Sequence, residues 1–507
     1  MNDLVHSYAF GGPAVTFDEE GVSLTSQGNL LQYQRCGFDV LIESPLNVSY
    51  GPFEYDSFPG SDTDRLLAFL SSGEAEPEKG EKLDLKLIVR DPTVLSLSSV
   101  RLSLCAEPGS PKKPIAFQNE AGEWRYPDRN AEVYEPTMTM IYHDEQNRRV
   151  DEKARRIIYQ FANEEELFRL LLWLMRPYAV KKAYAGLCLK DAPRADNFTA
   201  IRQIRQAVGK VDSFFQVRTS FAELLPRASS LENAAAFGRY LSVYQKETGD
   251  YQSASLPFFV LRQGKIEEGG KKVFEGNYIS PTCLNNYQTI ARIDAQKGTG
   301  WRLCLQSFGS DHGFRSCGER GLRWQITMGL AFGAKRFSYF CYCLDGAPSS
   351  VQSAIVNYTY EEGHRESAEY VAVKKLNEEL SLFVPKLAGY SYRSANVFVQ
   401  APGGGARSLP EQGYDFLPFH GEEPGIDAIM SSTASVLFTR LAKGDSTCLA
   451  VVNLEDPSRG RRNQVIFLLK QEIASCLGLG SSPLCTRKDE IVSLSLKPGE
   501  GAFLFLR

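Results

Sequence analysis

Residues 299–346 read TGWRLCLQSFGSDHGFRSCGERGLRWQITMGLAFGAKRFSYFCYCLDG. In that order they predict a buried strand, a polar loop, a helix closed by Gly333 and a second buried strand ending in aromatics. Strand, loop, helix and strand in succession form the repeating unit of a parallel α/β architecture. The polar residues follow directly on the first strand, where α/β barrels place their chemistry.

The same unit recurs outward from this stretch. Residues 29–36 read as a short helix ended by Gly37, and 38–42 as an apolar strand. Residues 61–72 are helical, with Ser61 or Asp62 as cap and leucines at 66, 67 and 70. A strand at 83–89 ends in Arg90-Asp91-Pro92. Asn163 to Glu166 is a capping-box start for a helix whose face carries Leu167, Leu170, Leu171 and Leu174. A strand at 184–189 runs into Lys190-Asp191-Ala192-Pro193. A helix at 198–208, a strand at 214–219, a helix at 232–247, a weaker strand at 253–259 and a helix at 285–296 lead back to the opening segment. Beyond it, 367–384 is a long helix with Val371, Leu376, Leu380 and Phe383 as its apolar side. These elements predict an α/β fold, a (β/α)8 barrel of the TIM type over about 25–387. An irregular insertion near 105–150, rich in Pro and acidic residues, reads as loops with a small hairpin.

After Pro385 the texture changes to short β-type runs at 395–400, 434–441, 446–454, 463–469, 491–496 and 501–506. Turns such as Lys443-Gly444-Asp445 and Pro498-Gly499-Glu500-Gly501 separate them. The expected organisation is therefore a barrel domain at 1–387 and a C-terminal antiparallel β-sandwich at 388–507.

Composition narrows the function classes. At 507 residues the chain is long enough for two cores, and 43% apolar with 23% charged residues is a globular balance. A formal charge of −4 gives no basic footprint for nucleic acid or an anionic membrane. No apolar run is long enough to span a bilayer, Arg169 interrupting the longest. MNDLVHSYAFGG has no basic region followed by an apolar core, so no secretory signal is read and a cytoplasmic setting is expected. The eleven cysteines lack framework spacing; Cys36, Cys188, Cys304 and Cys341 fall on buried elements and read as small hydrophobes. Cys341 and Cys343, two apart on a strand, make a poor chelate, and no metal or cofactor is expected.

The predicted strand ends supply the candidate site residues. Asp191 follows an apolar strand and precedes Pro193, as a catalytic or sugar-binding carboxylate or as a turn cap. Glu43, Arg90 and Asp91 end the first strands and suit hydroxyl-rich ligands by charge-assisted hydrogen bonds, or else an ion-pair network at the rim. Gln306 offers an amide for sugar hydroxyls and Tyr342 an aromatic face, whereas Tyr339, on the other parity of its strand, reads as packing. A triad from Ser307, His312 and Asp311 is rejected because neighbours on one loop rarely form one, and no nucleophile elbow is present. Gly403-Gly404-Gly405 does not follow a strand into a helix and is not a phosphate loop.

Four runs carry a resemblance. Leu322 to Lys335, LRWQITMGLAFGAK, with Tyr339-Phe340, resembles the penultimate helix and last strand of bacterial β-galactosidase-like glycoside hydrolases of the family 42 type. Gly186 to Pro193 is similar to their fourth-strand motif, G-x-x-L-x-DEP. Leu449 to Leu454 and Leu496 to Leu506 are similar to the β domain that follows such barrels. The resemblance covers most of 180–507. It implies a carbohydrate ligand and two carboxylates flanking the scissile bond, about 5–5.5 Å apart in retaining enzymes. The family's acid/base glutamate falls here on Ala192, which transfers no proton. The second carboxylate falls on Gln306-Ser307, with Asp311 and Glu319 in the loop that follows. The catalytic candidates are then Asp191, Asp311 and Glu319, and the sugar-binding candidates Glu43, Arg90, Asp91, Gln306 and Tyr342. Two readings stay open: glycoside hydrolysis by relocated carboxylates, and sugar binding by a degenerate site. The oligomeric state is not legible in the sequence.

Overall fold

The computed structural model describes 283–297, 301–310, 313–343, 351–359, 363–398, 421–423, 425–458, 460–480 and 482–507 almost continuously, and before residue 283 a set of separate segments, chiefly strands and the helices at 27–35 and 234–248. The backbone of the earlier strands is described, their side chains mostly not.

Two four-stranded sheets build the first part of the chain. In one, Arg302–Gln306 lies between Ser255–Pro257 and Arg336–Phe340, and Tyr8–Phe10 pairs with the outer side of Arg336–Phe340; every pairing is parallel. In the other, Tyr184–Asp191 pairs parallel with Ala222–Leu225 and antiparallel with Glu81–Val89, which pairs antiparallel with Leu41–Tyr50. Tyr8–Phe10 also lies against Leu41–Tyr50, and Ala222–Leu225 against Ser255–Pro257, so the two sheets adjoin at both of their edges. Glu81–Val89 corrects the all-parallel expectation. It pairs beside its immediate predecessor as an antiparallel strand does, with a register shift between Glu43 and Leu46 where Pro45 has no N–H to give.

Helices follow the strands in sequence. Ala234–Thr248 packs on Cys283–Lys297, and Gly318–Ala331 on Ala368–Phe383. Ser367 caps the last of these, its side chain accepting from the Tyr370 backbone N–H. Asn377 ties that helix to the chain start, donating to the Cys36 carbonyl (3.0 Å) and accepting from the Tyr339 hydroxyl (2.9 Å). Tyr339 is thus a packing residue. Val371 was expected on the apolar side and is instead 64% exposed, the buried face running through Tyr370, Val373, Leu376, Leu380 and Phe383. The expected helices at 61–72 and 198–208, the helix expected to start at Asn163 and the strand at 214–219 lie outside the described residues. Thr137–His143, within the expected insertion, and Arg149–Arg155, which runs past its end, form an antiparallel hairpin. A second hairpin, Leu261–Glu268 with Lys271–Ile279, was not anticipated.

From Ser391 onward the chain forms two antiparallel sheets. One runs Ser391–Phe398, Val436–Lys443, Ser446–Asn453, Gly501–Leu506, Ile473–Leu477; the other Ala428–Ser432, Asn463–Leu468, Ile491–Leu496, Leu484–Lys488. Period-two alternation sets what each strand buries. Leu449 and Val451 face the second sheet with Val465, Phe467, Val492 and Leu494. Cys448, Ala450 and Val452 face the other way, into a core shared with Trp324, Met328, Leu380 and Phe383. The unbroken apolar run at 448–452 is the consequence of burial on both faces.

Helix Gly318–Ala331 is the shared element. Its residues from Leu322 to Ala331 are buried all round apart from Arg323. One side meets Leu303 and Phe337, and the other meets the sandwich, where Trp324 lies against Gly499 and Thr327 against Gly501. A helix apolar on every face needs cover on every face. Gly333, at φ +88, ends it as expected.

Candidate functional site

The strand Arg302–Gln306 is buried throughout, and its last residue sits where the resemblance expects a carboxylate. The Gln306 side chain is fully enclosed. Its Oε1 accepts from the Leu261 N–H (2.9 Å), and its Nε2 donates to the carbonyls of Leu261 (3.0 Å) and Arg315 (2.9 Å). Gln325 grips the Gln306 backbone in turn, accepting from its N–H (2.8 Å) and donating to its carbonyl (3.0 Å). These bonds pin the hairpin at 261 and the loop at 315 to the strand end. Gln306 therefore corrects the expectation of a sugar-binding amide: both its N–H groups are spent on backbone carbonyls, out of reach of solvent.

Tyr342 is corrected in the same way. It is 1% exposed, with its ring 4.9 Å from Tyr33 and 6.0 Å from Phe38, centroid to centroid. Burial pushes its phenol far above the ordinary range, and its hydroxyl meets no partner among the described residues. The aromatics of the segment before residue 40 have closed over the position that strand parity assigned to a mouth. Alongside, Phe308, Cys341 and Ala354 form a small apolar cluster with Phe314 and Phe340, and the Arg262 guanidinium stacks 3.7 Å above the Phe314 ring.

Of the three catalytic candidates, only the Glu319 side chain is described. It stands in the first turn of helix Gly318–Ala331 and accepts from Arg323 (2.9 Å) and Lys375 (2.8 Å). Its hydrogen bond from Lys375 leads the causes that hold its carboxyl below the ordinary value of 4.5. A carboxylate so paired is the opposite of a general acid, which needs its proton held to higher pH. Asp191 is the last residue of its strand and registers with Leu225 of the parallel neighbour, and Glu43 lies within Leu41–Tyr50. The side chains of both, together with Arg90, Asp91, Ala192, Asp311 and His312, lie outside the described residues.

Glu319 borders a cleft of about 850 Å³ between the start of its helix, the hairpin 261–279 and the sandwich turns at 457–460 and 497–500. At its base, Arg315 makes a bidentate pair with Asp456 at 3.0 and 2.7 Å, both side chains buried. Arg315, Arg320, Gln263 and Asn277 were not read as site residues from the sequence; the run RSCGER at 315–320 carried the available signal. Among the described residues no three His, Cys, Asp or Glu side chains gather as a metal site. None of the nine described cysteines is in a disulfide, and burial raises Cys341 to about 12. Among the described residues no helix is long and apolar enough to cross a membrane.

No family model and no curated protein sequence matches the chain. Among solved structures it is similar to the α-amylase of Geobacillus thermoleovorans complexed with acarbose, at 9% identity and a TM-score of 0.35 over 68% of this chain and 64% of that one. An α-amylase from H. orenii is similar at 10% identity and TM-score 0.35, over 73% and 72% of the two chains. The catalytic domain of the GH30 xylanase C of Talaromyces cellulolyticus is similar at 12% identity and TM-score 0.19, over 60% and 80%. The chain spans under two thirds of the length of the first of these. At such scores the architecture rests on this chain's own strand pairings.

Proposed function

We propose that this chain is a carbohydrate-active protein on a (β/α)8 barrel with one reversed strand, of the β-galactosidase-like type, followed by a β-sandwich from about residue 388. We further propose that it binds its sugar without the two-carboxylate hydrolysis of that family. The observation that carries this reading is Gln306: where a nucleophilic carboxylate belongs, an amide is consumed by three backbone partners. Ala192 at the acid/base position supports it from the sequence. Glu319, paired with two cations, is in no state to replace either group. Asp191 favours the second reading, hydrolysis by relocated carboxylates, because it ends a strand that pairs parallel with its neighbour.

One pair of measurements separates them. Titration of the full chain with galactosides and other glycosides by calorimetry should show binding, while a panel of aryl glycosides should show no turnover above the uncatalysed rate. Turnover abolished by Asp191→Asn would establish the hydrolase reading instead. Absence of both binding and turnover across the panel would remove the carbohydrate reading.

A further inference from the structure

The cleft beside helix Gly318–Ala331 has a charge balance that identifies one group of a ligand. Five cationic side chains line it, Arg315, Arg320, Arg323, Lys375 and Lys497, against two carboxylates, Glu319 and Glu500. Four of the cations already have partners. Arg315 is held by Asp456, Arg323 by Glu379, and Lys375 by Glu319 at 2.8 Å. Lys497 lies 4.0 Å from Glu500, which Arg462 also approaches at 3.7 Å. Arg320 is the exception: exposed, it makes no ion pair or hydrogen bond among the described residues. Arg320 is therefore the lining cation open to one negative charge.

The backbone adds to this. Helix Gly318–Ala331 starts in the cleft, and Cys317 at its cap position gives it no side-chain hydrogen bond. The first N–H groups of a helix lack internal partners and favour an anion. The Nε of Arg315, in a side chain 8% exposed on the cleft wall, likewise meets no acceptor. Opposite, Gln263 and Asn277 are register partners on the hairpin. Both are exposed toward the cleft, and their amides make no hydrogen bond among the described residues. Amides that both donate and accept suit hydroxyls, while Pro457 and Pro498 offer apolar surface to the carbon face of a ring. A volume of about 850 Å³ accommodates a short glycan.

The geometry points to a binding site for an acidic sugar, a glycan unit carrying one carboxylate among its hydroxyls, with Arg320 and the helix start receiving the carboxylate and Gln263 and Asn277 the hydroxyls. This inference rests on the carbohydrate reading above and names its ligand class. A planar carboxylate matches the guanidinium fork, and the single uncompensated charge matches one acidic unit better than a polyanion.

The test is calorimetric titration of the full chain with digalacturonate, with the neutral galactose disaccharide, and with inorganic phosphate. Digalacturonate should bind at least about tenfold more tightly than the neutral sugar, and Arg320→Gln should remove that advantage. Gln263→Ala should weaken both sugars. Thermal melting confirms that these surface variants fold. Equal affinity for digalacturonate in Arg320→Gln overturns the site, and phosphate competing as well as digalacturonate reduces it to an anion hole without sugar recognition. Neutral sugar binding alone, untouched by Arg320→Gln, overturns this inference and leaves the carbohydrate reading standing. Binding of neither sugar overturns both.

Discussion

Replacing Gln306 by glutamate would place at this strand end the carboxylate that the resemblance implies there, and its surroundings forbid it. The Nε2 group faces the carbonyls of Leu261 and Arg315 at 3.0 and 2.9 Å, so a carboxylate oxygen there would meet two acceptors with nothing to donate. Unmet buried groups cost about 1–3 kcal/mol each, and a buried charge costs more. Gln306→Glu should lose about 2–4 kcal/mol in urea unfolding and gain no aryl glycosidase activity; a variant as stable as the parent would refute the strut role. Glu319 makes a milder prediction. Its carboxyl is held below 4.5 in the folded chain, led by the hydrogen bond from Lys375. A lowered folded value means its contribution is present above about pH 4.5 and is lost as pH falls through that folded value. Because its side chain is 40% exposed, solvent screening keeps the effect small. The melting-temperature gap between the parent and Glu319→Gln should be largest near neutrality and shrink as the pH falls below 4.5; a gap that widens in acid would contradict the pairing.

Helix Gly318–Ala331 and strand Ser446–Asn453 show which elements a sequence discloses. Both are buried on more than one face, both read as near-continuous apolar runs, and both were legible. Gly333 stopped the helix where its left-handed φ of +88 requires. The parallel strand at 302–306 was equally clear. Tyr8–Phe10 was not, since three residues are too short to show a period, although it pairs with the last strand of its sheet. Ile473–Leu477 and Leu484–Lys488 end their sheets half exposed, and their pattern is diluted accordingly. The hairpin at 261–279 is dominated by charged and glycine residues, which masked its Gly269-Gly270 turn signal. The Gln306 site was opaque for another reason: its partners lie 45, 19 and 9 residues away, and no local pattern reports contacts at those separations. At Gly329 the packing of this helix can be tested. A Cβ there would sit 2.8 Å from Leu303 Cδ2 and 3.2 Å from Phe337 Cε1. Gly329→Ala should therefore cost about 1–3 kcal/mol by overpacking, despite alanine's better helix propensity. A stabilised Gly329→Ala would mean the helix can move off the sheet.

The two parts of the chain share a core, and one ion pair marks how tightly they are joined. Trp324, Met328, Leu380 and Phe383 pack with Cys448, Ala450, Val452 and Phe503, so neither the helices nor the first sandwich sheet completes its burial alone. The sheet's outer face needs the helices as cover, which predicts that both unfold in one transition. Arg315 and Asp456 bridge the same boundary, one in the loop after Arg302–Gln306 and the other in the turn after Ser446–Asn453. Asp456 also accepts from the Ser458 N–H (2.8 Å), which fixes its carboxylate before Arg315 arrives. Removing one partner of such a pair leaves a buried charge, a loss of about 3–5 kcal/mol, whereas removing both leaves none. Asp456→Ala and Arg315→Met should each shift the urea midpoint strongly, and the double variant should lose much less than their sum. A coupling of about 1.5 kcal/mol or more in that cycle, with near- and far-ultraviolet dichroism melting together, is the expected result. Additive single effects, or two separated transitions, would show that the sandwich and the parallel sheet with its helices are merely tethered. The cleft above this pair would then have walls free to move apart, and the acidic-sugar site would lose its fixed geometry.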